Sequence, residues 1–270
     1  MMKSSRTPID YNEQREEFET WFQSPLGRAL LADQRRKVEW VTREFTGAHQ
    51  LLVSVSHRLP IATTTDFSMR MMTTPRWAAN LSDGVVVSDA AELPFPSESM
   101  DLVVLHHTHD FAEQPHQVVR EATRVLRSSG HLIIIGFNPI GLWGIRKLIS
   151  RRRHAPWGGR FVSPGRVEDW LNLLDCELGD VCRGFHRPPI RKAHALDRLG
   201  FMERLFNRLP LPGGAYYCIS AEKRVLARTE TRRRWRKQAK QPVAMPVAGS
   251  VSALRPHRHS TKDSQQERHS

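Results

Sequence analysis

Three short β-branched runs with one helix-period segment between the last two, all inside residues 85–139, constrain this chain more than any other feature. Val85 to Val87, Leu102 to Leu105 and Leu132 to Ile135 are continuous apolar runs, the pattern of strands covered on both faces rather than of a half-exposed sheet. Between the second and third runs, Val118, Val119, Ala122, Val125 and Leu126 recur at helical spacing. Pro115 suits the first turn of that helix and Gly130 its C-terminal cap. Strand, helix, strand is a parallel crossover unit, so the chain is expected to be α/β with helices on both sides of the sheet.

The 270 residues, 39% of them hydrophobic, suffice for one large domain with extensions. Cys176, Cys182 and Cys218 form no CxxC pair, which argues against a disulfide framework and a cysteine-rich zinc site and fits a reducing cytoplasm. No stretch reaches the roughly 18 apolar residues of a membrane span, and the N-terminal residues lack the apolar core of a signal peptide. The expectation is a cytoplasmic protein without a transmembrane segment. The net charge is +13, but residues 227–270 hold 11 Lys and Arg against 3 acids, so +8 of it falls in that tail. The expected divisions are N-terminal helices packing on the core over 1–46, an α/β domain over 47–226, and a basic tail over 227–270 whose Pro, Ser, His and Gln content predicts disorder.

Phe18, Trp21 and Phe22, then Leu26, Leu30 and Leu31, then Val38, Val41 and Phe45 recur at three and four, which predicts two amphipathic helices covering the sheet, one of them capped by Ser24 and opened by Pro25. Leu51 to Val55 is the next strand. A mononucleotide-binding fold places a glycine-rich turn after its first strand, because a missing Cβ lets the backbone approach the ligand. Here the turn reads SVSHRLPIATTT, and no glycine occurs from Ala48 to Asp83. Asp66 is a candidate ribose-binding acid near the end of the second strand, although it comes only about a dozen residues after Val53 where about 20 are expected.

Asp89 stands just past Val85 to Val87, at a carboxyl strand end where open parallel sheets bind ligands. Position alone suits it equally to a hydrogen bond from a ligand amino group and to a turn. His106, His107, His109 and Asp110 follow the next strand. Adjacent histidines on an extended segment are expected on opposite faces, which disfavours a metal cluster and leaves one of them as a general base near neutrality.

DAAELPFPSESMDLVVLHH with PHQVVREATRVLRSSGHLIIIGFNP resembles the middle of class I S-adenosylmethionine-dependent methyltransferases of the type 11 kind. PLGRALL, GFNPIGLWGIRKL and GRFVSPGRVEDWLNLL are similar to a small bacterial subgroup of methyltransferase-like proteins, and the likeness spans roughly Phe18 to Val225. The resemblance implies a Rossmann-like fold with a mostly parallel seven-stranded sheet and an antiparallel C-terminal edge. It implies S-adenosylmethionine as cofactor, with Asp89 and Ala90 beside the adenine and Leu105 and His106 beside the methionine part. The family's glycine-rich first motif has no match in LLVSVSHRLP.

After the strand Leu132 to Ile135, Asn138 and Trp143 are the candidate substrate wall. Lys147 with Arg151 to Arg153 suits either an anionic substrate or a solvated helix end. Ser163 and Pro164 begin a further helix, and Asp180 to Phe185 and Ala215 to Ala221 read as the last strands, with Tyr216 and Tyr217 as packing residues. Two functions follow: methyl transfer to an unknown acceptor with His106 as base, or a methyltransferase-like scaffold without catalysis that engages RNA or a protein, partly through Arg232 to Lys240.

Overall fold

The structure is a computed structural model that describes residues 11–150, 155–189 and 213–224. Helices α1 (Tyr11–Phe22) and α2 (Pro25–Thr42) lead into strands β1 (Thr46–Ser54), β2 (Asp66–Thr74), β3 (Val85–Val87) and β4 (Met100–His106). Helix α3 (Pro115–Val125), strand β5 (Leu126–Phe137), helices α4 (Leu142–Ile149) and α5 (Pro164–Leu173), and strands β6 (Cys176–Gly184) and β7 (Tyr216–Lys223) follow. Among the described residues the strands form one seven-stranded sheet in the order β3-β2-β1-β4-β5-β7-β6. Pairing is parallel from β3 through β5 and antiparallel at β5–β7 and β7–β6. This is the expected architecture, antiparallel edge included.

The side-chain period of 2 sorts the core into two layers. Leu52, Leu102, Val104, Ile133 and Ile135 face a layer containing Phe18 and Phe22 of α1, Leu30 and Val38 of α2, and Trp143 of α4. Leu51, Val53, Val103, Leu105, Leu132 and Ile134 face Val118, Val119 and Ala122 of α3 and Val167 and Leu171 of α5. Strands β4 and the apolar half of β5 are therefore buried on both faces, as their runs predict. The first run behaves differently: β3 is an edge strand, and Val87 is exposed. A run of three valines is the same whether one neighbour or two pair with it, so the edge position is a tertiary fact.

Ser24 caps α2 as expected, its Oγ accepting from the Gly27 amide at 3.1 Å. Gly130 does not cap α3. The helix ends at Val125 and Leu126 already belongs to β5, where a register shift takes the pairing from Met100–Leu126 to Leu102–His131. Gly130 sits in that irregular stretch, where a Cβ would lie 2.8 Å from Leu126 Cδ1.

Candidate functional site

The strand order reverses between β1 and β4, the place where open α/β sheets bind ligands at their carboxyl ends. A cavity of about 740 Å³ opens there between α1 (Arg15, Trp21), the turn after β1 (His57, Arg58) and the turn after β2 (Arg76, Trp77). Its size lies in the range of about 300–1,000 Å³ of small-molecule sites. A recess of about 10 Å³ between Val53, Thr73, Ser88, Ala90 and Thr108 lies deeper against the strand ends, room for about one water. Arg15 lines both spaces. Burial pulls its guanidinium below the usual range, and the nearby Asp89 carboxylate pulls the other way. Glu16 pairs with Arg76 and Glu19 with Arg58, so α1 is tied over the turns by solvent-facing ion pairs worth about 0–1 kcal/mol each.

The turns around this edge use their polar groups in two ways. After β1, the Ser56 amide reaches Ser54 Oγ at 3.4 Å, the Arg58 amide donates to Ser56 Oγ at 3.1 Å, and Leu59 closes on the Ser56 carbonyl at 3.3 Å. The serines satisfy the backbone that a glycine-rich turn would present to a ligand. After β3, Asp89 is exposed and holds a short turn, its Oδ1 accepting from the Ala91 amide at 3.0 Å and its carbonyl from Glu92 at 3.1 Å. Ser88 Oγ and Thr108 Oγ1, both lining the recess, are buried without a protein partner, as is His57 Nε2 on the cavity wall. Such atoms are rare in folded proteins and call for a ligand or water.

Beneath the edge lies a fully buried polar chain. Gln34 of α2 meets His106 Nε2 through Oε1 at 3.0 Å and His107 Nε2 through Nε2 at 2.8 Å. With that amide orientation, His106 donates from Nε2 and His107 accepts at Nε2, which leaves His107 Nδ1–H to donate to Asp110 Oδ2 at 2.8 Å. Asp110 Oδ2 also accepts from the Phe137 amide at 2.9 Å. His109 pairs with Tyr217 Oη at 2.8 Å, directly over Gly136, whose absent Cβ would lie 2.4 Å from His109 Nε2. Burial pushes Asp110 up to about 6 and His107 down to about 3. It also lowers His106, well below 6.5, and His109.

Adjacent histidines were expected on opposite faces, yet one amide binds both. His107 lies just past β4 with φ 57, a left-handed conformation that turns its ring back toward the face of His106. A bulky residue held there is costly and persists because its surroundings determine it. Phe18 edges onto the His107 ring at 5.3 Å, and Phe137 lies 4.2 Å from it. Among the described residues no group of three or more His, Cys, Asp or Glu is placed to hold a metal ion.

The structure brings Ala90, Ser88 and Thr108 together at the recess, with Asp89 next in the chain and Leu105 packed in the same core layer as Ala90 and Val53. His106 is fully buried beneath them, its Nδ1 without a partner. Asp66 is not brought to this edge. It opens β2 opposite Thr46, at the amino end of the sheet, so the expected strand-end position belongs instead to Thr74. Asn138 is fully buried and holds its own turn, accepting from the Ile140 amide at 3.0 Å. Trp143 is a core residue whose Nε1 donates to the Arg187 carbonyl at 3.0 Å. Lys147 folds back onto the Gly159 carbonyl and the Phe161 ring. Arg151 to Arg153 and the tail segment Arg232 to Lys240 lie outside the described residues. Sequence reasoning missed Gln34, although a glutamine between Leu31 and Val38 interrupts an apolar stripe. It also missed Arg15 and Thr108, which carry no local signal.

Residues 46–134 match a family model described as a methyltransferase domain. Over 108 residues the chain is 42% identical to the uncharacterized protein YafS of Escherichia coli (strain K12), covering 40% of this chain and 45% of that protein. Over 50 residues it is 36% identical to the uncharacterized protein MJ1123 of Methanocaldococcus jannaschii, covering 18% and 24%. The chain thus spans less than half the length of these curated relatives. Among solved structures it is similar to a SAM-dependent methyltransferase, possible histamine N-methyltransferase, from Thermotoga maritima, with TM-score 0.57, 17% identity, and 79% of this chain and 98% of that one covered. It is also similar to the [4+2]-cyclase SpnF, with TM-score 0.53, 16% identity, and 81% and 98% covered. At these identities the likeness is one of fold.

Proposed function

Residues 46–134 carry a methyltransferase domain on the class I fold, and from that premise we propose that the chain is an S-adenosylmethionine-dependent methyltransferase. The observation that supports this best is the pair of buried, unpartnered hydroxyls of Ser88 and Thr108 facing Ala90 at the strand-order reversal. In this reading Asp89 and the Ala90 backbone take the adenosine, Ser88 and Thr108 supply hydrogen bonds, and Leu105 backs the site from the core. The cofactor, when bound, would supply an activated sulfonium methyl for transfer to an acceptor nucleophile.

The chain's own part is to position the reactants and exclude water. Helix α1 roofs the cavity, and its Arg15 lines both the cavity and the recess, close enough to Asp89 for the two charges to act on one another. Where the acceptor must lose a proton, His106 is the base we assign, through its unpartnered Nδ1; full burial lowers its pKa and makes it a weak base that the acceptor must reach through the recess. The open cavity wall beside Trp21 and Trp77 is where we place the entry of the acceptor.

A second reading, a scaffold of the same fold without catalysis, is favoured by the turn after β1, whose serines occupy the amides a cofactor would use. The likeness of the [4+2]-cyclase shows that this fold also serves other chemistry. Calorimetry on the full chain with S-adenosylmethionine and S-adenosylhomocysteine separates the two. Binding weakened about 10- to 100-fold by Asp89→Ala, the worth of one charge-assisted hydrogen bond, is the expected result. No heat at millimolar ligand leaves the scaffold reading standing.

A further inference from the structure

Away from the cavity, helix α4 carries an apolar face that nothing in the described fold covers. Leu142, Ile145 and Ile149 stand at i, i+3 and i+7, so they share one side of the helix, while Trp143 and Gly144 on the other side are buried. Leu148 is 86% exposed and Ile149 72%. Beside this face runs an apolar groove of about 230 Å³ between Trp143, Phe185, Gly213 and Gly214.

The sequence that carries the helix is one-sided in charge. No acidic residue occurs between Glu121 and Glu168, whereas the same stretch holds nine Lys and Arg. Arg146 is exposed on the flank of the apolar face, and Arg151 to Arg153 follow the helix in the sequence. An apolar helical face flanked by Arg146, in a stretch of sequence that is basic and holds no acid, matches a surface that is apolar below and anionic above, which is the headgroup boundary of an anionic bilayer. The helix is too short to span it: no described helix is long and apolar enough to cross a membrane.

We propose that α4 seats this protein on an anionic lipid surface. Leu142, Ile145, Leu148 and Ile149 enter the boundary between headgroups and acyl chains, and Arg146 meets the lipid phosphates. Because α4 leaves the carboxyl end of β5, the contact lies on the sheet edge that also carries the cavity. It stands independently of methyl transfer.

Flotation of the full-length protein with vesicles of phosphatidylcholine alone, or with about one-third phosphatidylglycerol, tests this. The expected result is binding to the anionic vesicles only, weakened about tenfold or more by Leu148→Glu with Ile149→Glu. Both side chains are exposed, so the melting temperature of the double variant stays at the wild-type value. Leu148→Gln, which removes apolar area without adding charge, gives a smaller but measurable loss. Full binding by the double variant assigns the attraction to the basic tail and overturns the proposal. So does equal binding to neutral vesicles, no vesicle binding at all, or a lipid-free dimer that the double substitution dissolves. Full binding by Leu148→Gln beside loss in the Glu variant leaves only charge repulsion and removes the apolar seat.

Discussion

The two halves of the sheet's carboxyl edge are built from similar residues and spend them differently. After β1, Ser54 and Ser56 turn their hydroxyls onto backbone amides two residues on, so the loop closes on itself. After β3 and β4, Ser88 and Thr108 keep their hydroxyls buried and unspent, over a chain of histidines, Gln34 and Asp110 that fixes the backbone beneath them. A polar group already satisfied within its own turn offers a ligand little, whereas an unsatisfied one held in place offers a hydrogen bond whose desolvation has already been met. The unspent hydrogen-bonding capacity of this edge therefore lies in the β3–β4 half, and the lack of glycine after β1 is matched by a loop in which Ser54 and Ser56 take up amides of their own turn.

The largest effect that sharpens this contrast is expected beneath the β4 half. Asp110→Ala strands the His107 Nδ1 and Phe137 N donors and costs about 3 kcal/mol, read from the urea midpoint. The same network sets the pH dependence. Asp110 is raised from 3.8 to about 6, so the folded state holds its proton more tightly. That contribution is complete below the unfolded value and is lost as the pH rises through about 6. His107 is lowered from 6.5 to about 3, so its contribution grows as the pH rises over that interval, and His106 and His109 act in the same direction. Three histidines outweigh one carboxyl: the midpoint climbs between about pH 4 and 6.5, and Asp110→Asn, which removes the opposing group, steepens the climb. A midpoint that falls across this window reverses the assignment.

A smaller effect separates ligand from scaffold. Thr108→Val keeps the shape and removes an unpaired buried hydroxyl, so stability holds or rises while S-adenosylmethionine affinity drops by about 1 kcal/mol, roughly fivefold. Equal affinity shows that the hydroxyl serves no ligand. The smallest effect breaks the contrast if it fails. Ser56→Ala loses one turn bond and costs at most about 1 kcal/mol of stability, with cofactor affinity unchanged in calorimetry; a loss of affinity makes the β1 turn part of the site after all.

Much of the fold was legible because its elements depend on local pattern. The apolar runs of β4 and β5, the stripe of α3 and the Ser24–Pro25 cap are properties of spacing and side-chain chemistry, and they survive any rearrangement of distant parts. Gly130 was misread for the converse reason: a glycine after a helical stripe serves as well in an irregular strand entry, and only the pairing of Leu126 with Met100 distinguishes the two. Asp89 could be placed at the carboxyl edge from its position after a strand, and Ala90 only through the resemblance. Asp66 could not, because whether an acid begins or ends a strand depends on the register with β1.

The sequence by itself determined a parallel α/β sheet and the missing glycine turn, since periodicity and composition are local quantities, whereas the antiparallel edge was implied only by the resemblance to methyltransferases. Only the tertiary structure decided that His106 and His107 share one amide, that Arg15 crosses from α1 to the neighbourhood of Asp89, and that Thr108 is left unpaired. Each of those depends on which side chains, 70 or more residues apart, are packed within hydrogen-bonding reach or held out of it, and no local pattern encodes that distance.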